Sequence, residues 1–405
     1  MTTKKRIIYT ILFIVAVLAI GYAIYWVFFA PAEPAPQPTP DQQPKEAEEQ
    51  QLPTAQETEP SARREQEEEE QTQPEAEAPT PTEPEEKRVT QEVTSEVDHL
   101  DLVEEGARFY NEEDGRFYKL VDGELKPLDD KVFFNVESTA WAPNEDKAII
   151  EYPDGANIYY NFETKEQETL PKHWTDFSFS NTGDKIAAKN MGFSPENRWL
   201  IEANPDGSSI KRIENMGDNA DKVDVSWSPN GEVVALSRTG PGRGADKQEV
   251  YLVGENDENL RSLMVPGRAM QSKWSPSGEK ILYSVYNTQN NYKPELWVVT
   301  ANPGSIGQNR TKLNVDTWAD KCAFANDTFI YCGVPTQLPK GAGFEPAAAD
   351  DIEDDIYKIN LQTGAQTQIS TGGQSFTVES IQVDQENNEL LITAKNQSGL
   401  FKIDI

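Results

Sequence analysis

Beyond residue 97 the hydrophobic positions come in short runs separated by polar turns, a pattern typical of β-strands. One turn returns almost unchanged: Trp227-Ser-Pro-Asn-Gly is followed by Trp274-Ser-Pro-Ser-Gly, and degenerate forms begin at Trp141, Phe179 and Phe324. Proline and asparagine favour a tight reversal, and glycine supplies positive φ. The pattern therefore predicts tandem repeats of antiparallel strands.

A second landmark is an apolar strand placed third in each repeat. It occurs seven times, beginning at Phe117, Ile158, Trp199, Val250, Leu296, Ile356 and Leu400. Intervals of roughly forty to sixty residues are typical of four-stranded propeller blades. The sequence thus predicts an all-β fold, a β-propeller of four-stranded antiparallel blades. Seven blades fit the count, and six or eight remain alternatives because the first repeat has no clear Trp-Ser-Pro turn.

The last repeat reaches Ile405 directly after its third strand and lacks a fourth. An apolar alternation through Val89, Gln91 and Val93 stands at the front of the domain. Because a closed ring removes most exposed sheet edges, we predict that residues near 89 to 96 supply the missing outer strand. The propeller domain is therefore predicted to span residues 89–405.

The first 88 residues predict a membrane attachment. Residues 7–29 are 23 uncharged positions, about 34 Å as a helix, which is enough to cross a bilayer. A basic N-terminus, residues 1–6 with Lys4, Lys5 and Arg6, precedes them, so the positive-inside rule places the N-terminus in the cytoplasm and the rest outside. A cleaved signal peptide is the alternative; the apolar run is long for one and Pro31 follows the candidate cleavage residue Ala30.

Residues 30–88 are predicted to be a disordered linker, because the segment is rich in proline and glutamate and has hardly any large apolar residue. From Pro31 to Asp98 there are 12 prolines and 20 acidic against 5 basic side chains. The whole chain carries a net charge of −32. Such acidity argues against nucleic acid as a partner.

Few residues in the chain suit catalysis. The only histidines, His99 and His173, belong to different repeats, and no Gly-x-Ser-x-Gly nucleophile elbow occurs. The acidic run from Asp350 to Asp355 lacks the spacing of an EF-hand and is interpreted as a solvated surface cluster. We therefore predict a protein that is not an enzyme and has no metal ion or cofactor.

Cys322 and Cys332 flank the turn of the sixth repeat on adjacent antiparallel strands. Outside the membrane, oxidising conditions would favour a disulfide between them if the register places their Cα atoms within about 7 Å. Two separate buried thiols are the alternative, because a shift of one residue turns the side chains to opposite faces.

The middle repeats have long connections between the second and third strands: Asn190 to Asn197, Thr239 to Gln248, Asn287 to Pro294, and Gly333 to Asp351. Alternate connections of an up-and-down blade emerge on opposite ends, so these loops should share one face. Basic and aromatic side chains on them form the candidate binding face: Arg243, Lys247, Tyr292, Lys293, Lys340 and Phe344. Tolerated surface insertions are the alternative interpretation.

The Trp-Ser-Pro-x-Gly turn, followed by an apolar strand, a third strand and an Asp-Gly hairpin, resembles the TolB-like class of WD-repeat-like β-propellers over about residues 97 to 405. The resemblance implies a propeller of the cell envelope that docks on another protein. The first hypothesis is a single-pass, membrane-anchored extracytoplasmic propeller, an interaction or scaffold module for an envelope protein or peptide. The alternative is a propeller that binds or processes a glycan or small molecule. The oligomeric state stays open.

Overall fold

The computed structural model describes residues 89–405 except Asn144, Asp257 and Asn259. The membrane helix predicted at residues 7–29 and the linker predicted at residues 30–88 lie outside this part. Within residues 89–405, none of the described helices has the length and apolar character needed to cross a membrane.

The described residues form seven antiparallel sheets of four strands each, one for every predicted repeat. Blade I contains β2 (Asp98–Val103), β3 (Gly106–Asn111), β4 (Arg116–Val121) and β5 (Glu124–Pro127). Blade II contains β6 (Ser138–Trp141), β7 (Lys147–Glu151), β8 (Asn157–Asn161) and β9 (Gln167–Leu170). Blade III contains β10 (Trp174–Phe179), β11 (Ile186–Met191), β12 (Arg198–Ala203) and β13 (Lys211–Asn215).

The remaining four blades follow the same order along the chain. Blade IV contains β14 (Val223–Val225), β15 (Ala235–Ser237), β16 (Gln248–Val253) and β17 (Leu263–Val265). Blade V contains β18 (Arg268–Trp274), β19 (Lys280–Tyr286), β20 (Pro294–Thr300) and β21 (Thr311–Lys312). Blade VI contains β22 (Cys322–Phe324), β23 (Phe329–Pro335), β24 (Asp354–Asn360) and β25 (Gln366–Ile369). Blade VII contains β26 (Val378–Asp384), β27 (Glu389–Ala394), β28 (Gln397–Asp404) and β1 (Val89–Val93).

Blade VII joins the two ends of the domain. Its strand order is β26-β27-β28-β1, and β1 pairs antiparallel with β28 through Val89 opposite Ile403 and Val93 opposite Leu400. The predicted closing strand is therefore confirmed. The pairing is needed because β28 would otherwise leave a full row of backbone groups without hydrogen-bond partners at the edge of the sheet.

Hydrophobic side chains fill every interface between neighbouring blades. Seven clusters of buried residues each combine side chains from two successive blades, and one of them joins blade VII to blade I through Val93, Leu391, Leu400 and Phe109. A single four-stranded sheet cannot cover both of its faces, so each blade completes its core against its neighbours. The central strands are accordingly buried on both faces, as in β7, where Ala148, Ile149 and Ile150 have no exposed surface.

The Trp-Ser-Pro turns link successive blades. Asn181 donates to the Pro229 carbonyl (2.8 Å), Asn230 donates to the Gly278 carbonyl (3.1 Å), and Ser277 donates to Asp327 (2.8 Å). Tryptophans of the turns pack between blades as predicted: the indole N–H of Trp274 in blade V donates to Ser226 of blade IV at 3.1 Å. The repeated turn therefore connects each blade to the next by hydrogen bonds and packing contacts.

Two faces of the propeller follow from the strand order. First strands of neighbouring blades contact one another around most of the ring and line the axis. Connections from first to second and from third to fourth strands emerge on one side, which we call the turn face. Connections from second to third strands and from one blade to the next emerge on the other side, the long-loop face. The chain enters β1 at Val89 on the turn face, and β28 also ends there.

A buried arginine of blade I, Arg108, reaches both blades I and II; its side chain has 0 % exposure, and that of its ion-pair partner Asp101, also in blade I, has 35 %. Its Nε and Nη2 atoms donate to Asp101 at 2.9 and 2.7 Å, and its other N–H groups donate to the carbonyls of Glu145 and Ala142. The guanidinium lies 4.4 Å from the ring centre of Trp141. Every part of this cation therefore has a partner in one of the two blades.

Cys322 and Cys332 lie directly opposite each other on β22 and β23 and are joined by a disulfide. Their Cα atoms are 4.1 Å apart, and both side chains are fully buried. The bond ties the axial strand of blade VI to its neighbour, next to the start of the longest loop of the propeller.

Candidate functional site

Four long loops connect second to third strands in blades III to VI. They run over residues 192–197, 238–247, 287–293 and 336–353. The predicted boundaries differ from these by one to three residues, mostly where flanking residues continue the strands; Gly333, for example, pairs with Ile356 in β23 and β24. By the strand order all four loops lie on the long-loop face.

The loops of blades IV, V and VI are hydrogen-bonded to one another. The Asp246 carboxylate accepts from the backbone N–H of Thr288 at 3.0 Å and from its hydroxyl. Farther along, the N–H of Gly341 donates to the Asn291 carbonyl (2.9 Å) and the N–H of Gly343 donates to the Tyr292 carbonyl (2.7 Å). Three loops that are distant in sequence therefore form one continuous wall.

Three aromatic rings meet at the top of this wall. Phe344 packs against Tyr286 and Tyr292 with both ring centres 5.3 Å away, and yet 56 % of Phe344 stays exposed. Close packing requires glycine at position 343, since a Cβ there would lie 2.4 Å from the Cβ of Tyr286. Tyr292 is held at φ 58°, a left-handed conformation that is unfavourable for a bulky residue and that concentrates at functional sites.

A cavity of 620 Å³, a volume typical of small-ligand pockets, opens beside the aromatic rings. Its apolar lining consists of Tyr286, Phe344 and Pro346 together with Met270 and Trp318, which are almost fully buried. Its polar lining consists of Asp224, Ser226, Arg238, Gln271 and Ser272. The cavity lies between the axial strands of blades IV and V and the loop of blade VI.

The polar lining of the cavity contains an ion pair between Arg238 and Asp224. Arg238 donates through Nε and a terminal nitrogen to the two carboxylate oxygens of Asp224, both at 2.9 Å. Burial raises the pKa of Asp224, while Arg238 opposes that shift. This bidentate contact fixes the orientation of both side chains. It presents a polar surface with little net charge to the cavity.

The predicted basic residues lie on the three connected loops. Arg243 and Lys247 are on the loop of blade IV, Lys293 follows Tyr292 in blade V, and Lys340 precedes Gly341 in blade VI. Arg243 lies 3.6 Å from Glu249 and is 62 % exposed. We call the seven residues of this ridge the aromatic–basic rim: Arg243, Lys247, Tyr286, Tyr292, Lys293, Lys340 and Phe344. The structure brings Tyr292 and Phe344 into direct contact, and the four cations lie on the same three loops.

Carboxylates lie on the other side of the axis, where blade VII meets blade I. Ligating oxygens of Glu96, Asp98 and Glu112 lie within 4.8 Å of one another. Burial, together with the nearby charges of Glu112, Glu379 and Glu96, raises the pKa of Asp98 to about 6. We call these four residues the acidic cluster. The long-loop face is therefore acidic where blade VII meets blade I.

The acidic cluster predicts a pH dependence of stability. The pKa of Asp98 is higher in the folded than in the unfolded chain, so its charged form opposes folding at neutral pH and this penalty disappears as pH falls from about 6 towards 4. After allowance for solvent screening, we expect Asp98→Asn to raise the free energy of unfolding by about 1 kcal/mol at pH 7.5 and by much less at pH 5.

Denaturant unfolding of both proteins at the two pH values measures this difference. The substitution Glu386→Gln, on an exposed turn, is the matched control and should change stability equally at both pH values. A gain from Asp98→Asn that is equally large at pH 5 would contradict the assignment.

The acidic run from Asp350 to Asp355 does not form a cluster of ligands. Asp350 pairs with Lys395 at 2.5 Å, and the buried carboxylate of Asp354 pairs with Lys321 at 2.8 Å. Other residues of the site escaped the sequence analysis. Tyr286 and Met270 are strand residues, and Trp318 lies in a connection between blades, so the loop pattern contained no signal for them.

Comparisons with known proteins identify the architecture alone. No family model and no curated protein matches the chain. Among solved structures, it is similar to the β-propeller domain of Myceliophteria thermophila Cps50 (Swd1), with a TM-score of 0.52 and 10 % identity over 79 % of this chain and 99 % of that one. The chain has the seven-bladed β-propeller fold.

Two propeller-containing enzymes are also structurally similar to the chain. An oligogalacturonate lyase in complex with manganese matches with a TM-score of 0.49 and 12 % identity, over 78 % of this chain and 93 % of that one. The tricorn protease matches with a TM-score of 0.47 and 8 % identity, over 79 % of this chain and 34 % of that one. A fold by itself does not determine a function, so the function of this β-propeller has to be argued from its own residues.

Proposed function

We propose that the protein is a membrane-anchored, extracytoplasmic β-propeller that serves as a protein interaction or scaffold module of the cell envelope. Its partner, an envelope protein or peptide, binds at the aromatic–basic rim and the adjoining cavity. The observation that carries the proposal is the exposure of Phe344 on a rigid wall of three connected loops, beside a cavity of 620 Å³. Exposed aromatic rings next to a preformed pocket are typical of interaction hot spots.

The placement of the domain is proposed from sequence and fold together. Residues 7–29 have the length and composition of a signal anchor, and the TolB-like resemblance is to an envelope protein. The Cys322–Cys332 disulfide supports an oxidising compartment. The chain enters the propeller on the turn face, so a tether attached at Val89 leaves the long-loop face accessible to a partner.

Site-specific photo-crosslinking in intact cells tests this function. A photoreactive amino acid at Tyr292 should form a covalent adduct with one defined partner, which mass spectrometry identifies. The same amino acid at Ile210, which is 57 % exposed on the turn face, is the matched control and should not capture that partner. Identical adducts from both positions, or no adduct from position 292, would refute binding through the long-loop face.

A second candidate function is the binding or processing of a glycan or small molecule. The cavity favours it, because both apolar and hydrogen-bonding groups line a space of suitable size. Soluble cell-wall fragments should then raise the melting temperature of the full chain, and the rise should disappear in Phe344→Ala. A melting temperature that the fragments leave unchanged would remove this candidate.

A further inference from the structure

We propose that the outer rim of blade IV is a second binding surface, where an extended polypeptide segment of another protein adds as a β-strand. The added strand continues the line of β17 and lies beside residues 251–253 of β16. This surface is separate from the aromatic–basic rim, so the proposal goes beyond the proposed function and does not depend on it. An incomplete outer strand and an adjoining groove support it.

The outer strand of blade IV covers only half of its neighbour. β16 has six residues, whereas β17 has three. On its inner edge β16 pairs with β15 over residues 251–253, but on its outer edge β17 pairs only with residues 248–250. Residues 251–253 therefore have a strand on one side only, and an unpaired strand edge is a template for another strand.

Other blades cover the corresponding end of their third strand. In blade I the pairing continues to the hairpin, where Val121 lies opposite Glu124. Blade V has an outer strand of two residues, but the N–H of Gly307 in the following connection donates to the Thr300 carbonyl at 2.9 Å. In blade IV, no described residue of the connection 254–262 forms a backbone hydrogen bond with residues 251–253.

A groove of 370 Å³ adjoins this uncovered edge. Its apolar lining comes from both neighbouring blades and consists of Ile213 in blade III with Tyr251, Leu252, Val253 and Leu260 in blade IV. Tyr251 is 40 % exposed. Because successive side chains of a strand point to opposite faces, every second side chain of an added strand would pack on the face that presents Tyr251. Backbone bonds then supply affinity, and the groove selects the side chains.

The occupant is a segment with apolar or β-branched side chains at alternate positions. Residues 30–88 of the chain itself do not fit, because they are rich in proline, which lacks the N–H that strand pairing needs, and have hardly any large apolar residue. Every strand that the structure describes already belongs to one of the seven sheets, so a second copy has no spare strand to offer. The segment therefore comes from another protein.

Fluorescein-labelled peptides test the proposal by fluorescence anisotropy on the full chain in detergent. The parent peptide alternates valine and threonine over six residues between terminal lysines. Two isomers carry N-methyl groups on either the odd or the even residues, so that each lacks N–H donors along one edge. An added strand uses one edge only, so we expect one isomer to bind about tenfold or more weakly than the parent and the other to bind like it.

Hydrogen exchange and a substitution locate the binding. With the parent peptide bound, amides within residues 251–253 should gain protection, and those of β4 in blade I should not change. Tyr251→Ala should weaken the parent peptide by about fivefold, because it removes the aromatic neighbour of the added strand. Tyr118→Ala is the matched control, since Tyr118 lies on a third strand whose outer partner is complete, and it should leave the affinity unchanged. Circular dichroism checks that both variants fold.

Two isomers with equal affinity would overturn the proposal, as would a parent peptide that does not bind or that leaves the exchange of residues 251–253 unchanged. A chain that is dimeric in solution and becomes monomeric in Tyr251→Ala would also overturn it, because a second copy then covers the edge. Crosslinking from Tyr292 reports on the long-loop face alone, so this proposal and the proposed function fail independently.

Discussion

Arg108→Ala is expected to lower the free energy of unfolding by about 3 kcal/mol. The side chain is fully buried between blades I and II, and alanine would leave Asp101 and the carbonyls of Ala142 and Glu145 without their donor. It would also remove the cation from the ring of Trp141 and leave a cavity between the blades. Chemical denaturation of the full chain, followed by tryptophan fluorescence, measures the loss.

Lys126→Ala is the matched control for the loss of an ion pair. Lys126 lies 3.0 Å from Glu124, but their side chains are 60 % and 73 % exposed. Exposed pairs contribute little, so we expect a change within about 0.5 kcal/mol. A similar, small effect of both substitutions would show that Arg108 does not hold the first two blades together.

Gly399→Val is expected to disrupt ring closure. Gly399 has φ 117°, a conformation that strains any residue with a side chain, and a Cβ there would lie 2.2 Å from the Val93 carbonyl oxygen in β1. Strain and clash together should reduce the free energy of unfolding by about 3 kcal/mol or more. Hydrogen exchange should show that the amides of Val89 to Val93 lose protection before those of the other blades.

Gly304→Ala is the control for this experiment, because φ is not positive there and no heavy atom lies within 4 Å of the added Cβ. Its stability should stay within about 0.5 kcal/mol of the original protein. Gly399→Val with fully protected β1 amides would mean that closure does not depend on the close approach of β28 to β1.

The blade architecture was predictable because its signals are local. Each turn beginning at Trp227 or Trp274 stands between two apolar strands, and seven third strands correspond to seven blades. Even the closing strand at Val89 to Val93 could be inferred. The last repeat lacked a fourth strand to pair with β28, and the apolar alternation at the front of the domain was not assigned to any other repeat. The fold repeats one unit, so a weak turn signal in a single repeat did not change the predicted architecture.

The candidate site was only partly predictable, because it combines residues that are close only after folding. Loop length identified Tyr292 and Phe344 as surface residues, and the structure adds that their rings touch. The contribution of Tyr286 could not be inferred, since a tyrosine at the end of a strand looks like a core residue. Equally, Glu96 and Glu379 are 283 positions apart, and only ring closure brings their charges to the same side of the face.

The entry of the chain at Val89 on the turn face has a mechanical consequence. If the proposed membrane anchor and a partner bound to the long-loop face pull in opposite directions, the tension runs along β1 in the direction of the strand. Hydrogen bonds of an antiparallel pair lie perpendicular to the strands, so such a force shears all of them at once instead of opening them one after another. The ring would therefore resist extension at the seam where its two ends meet.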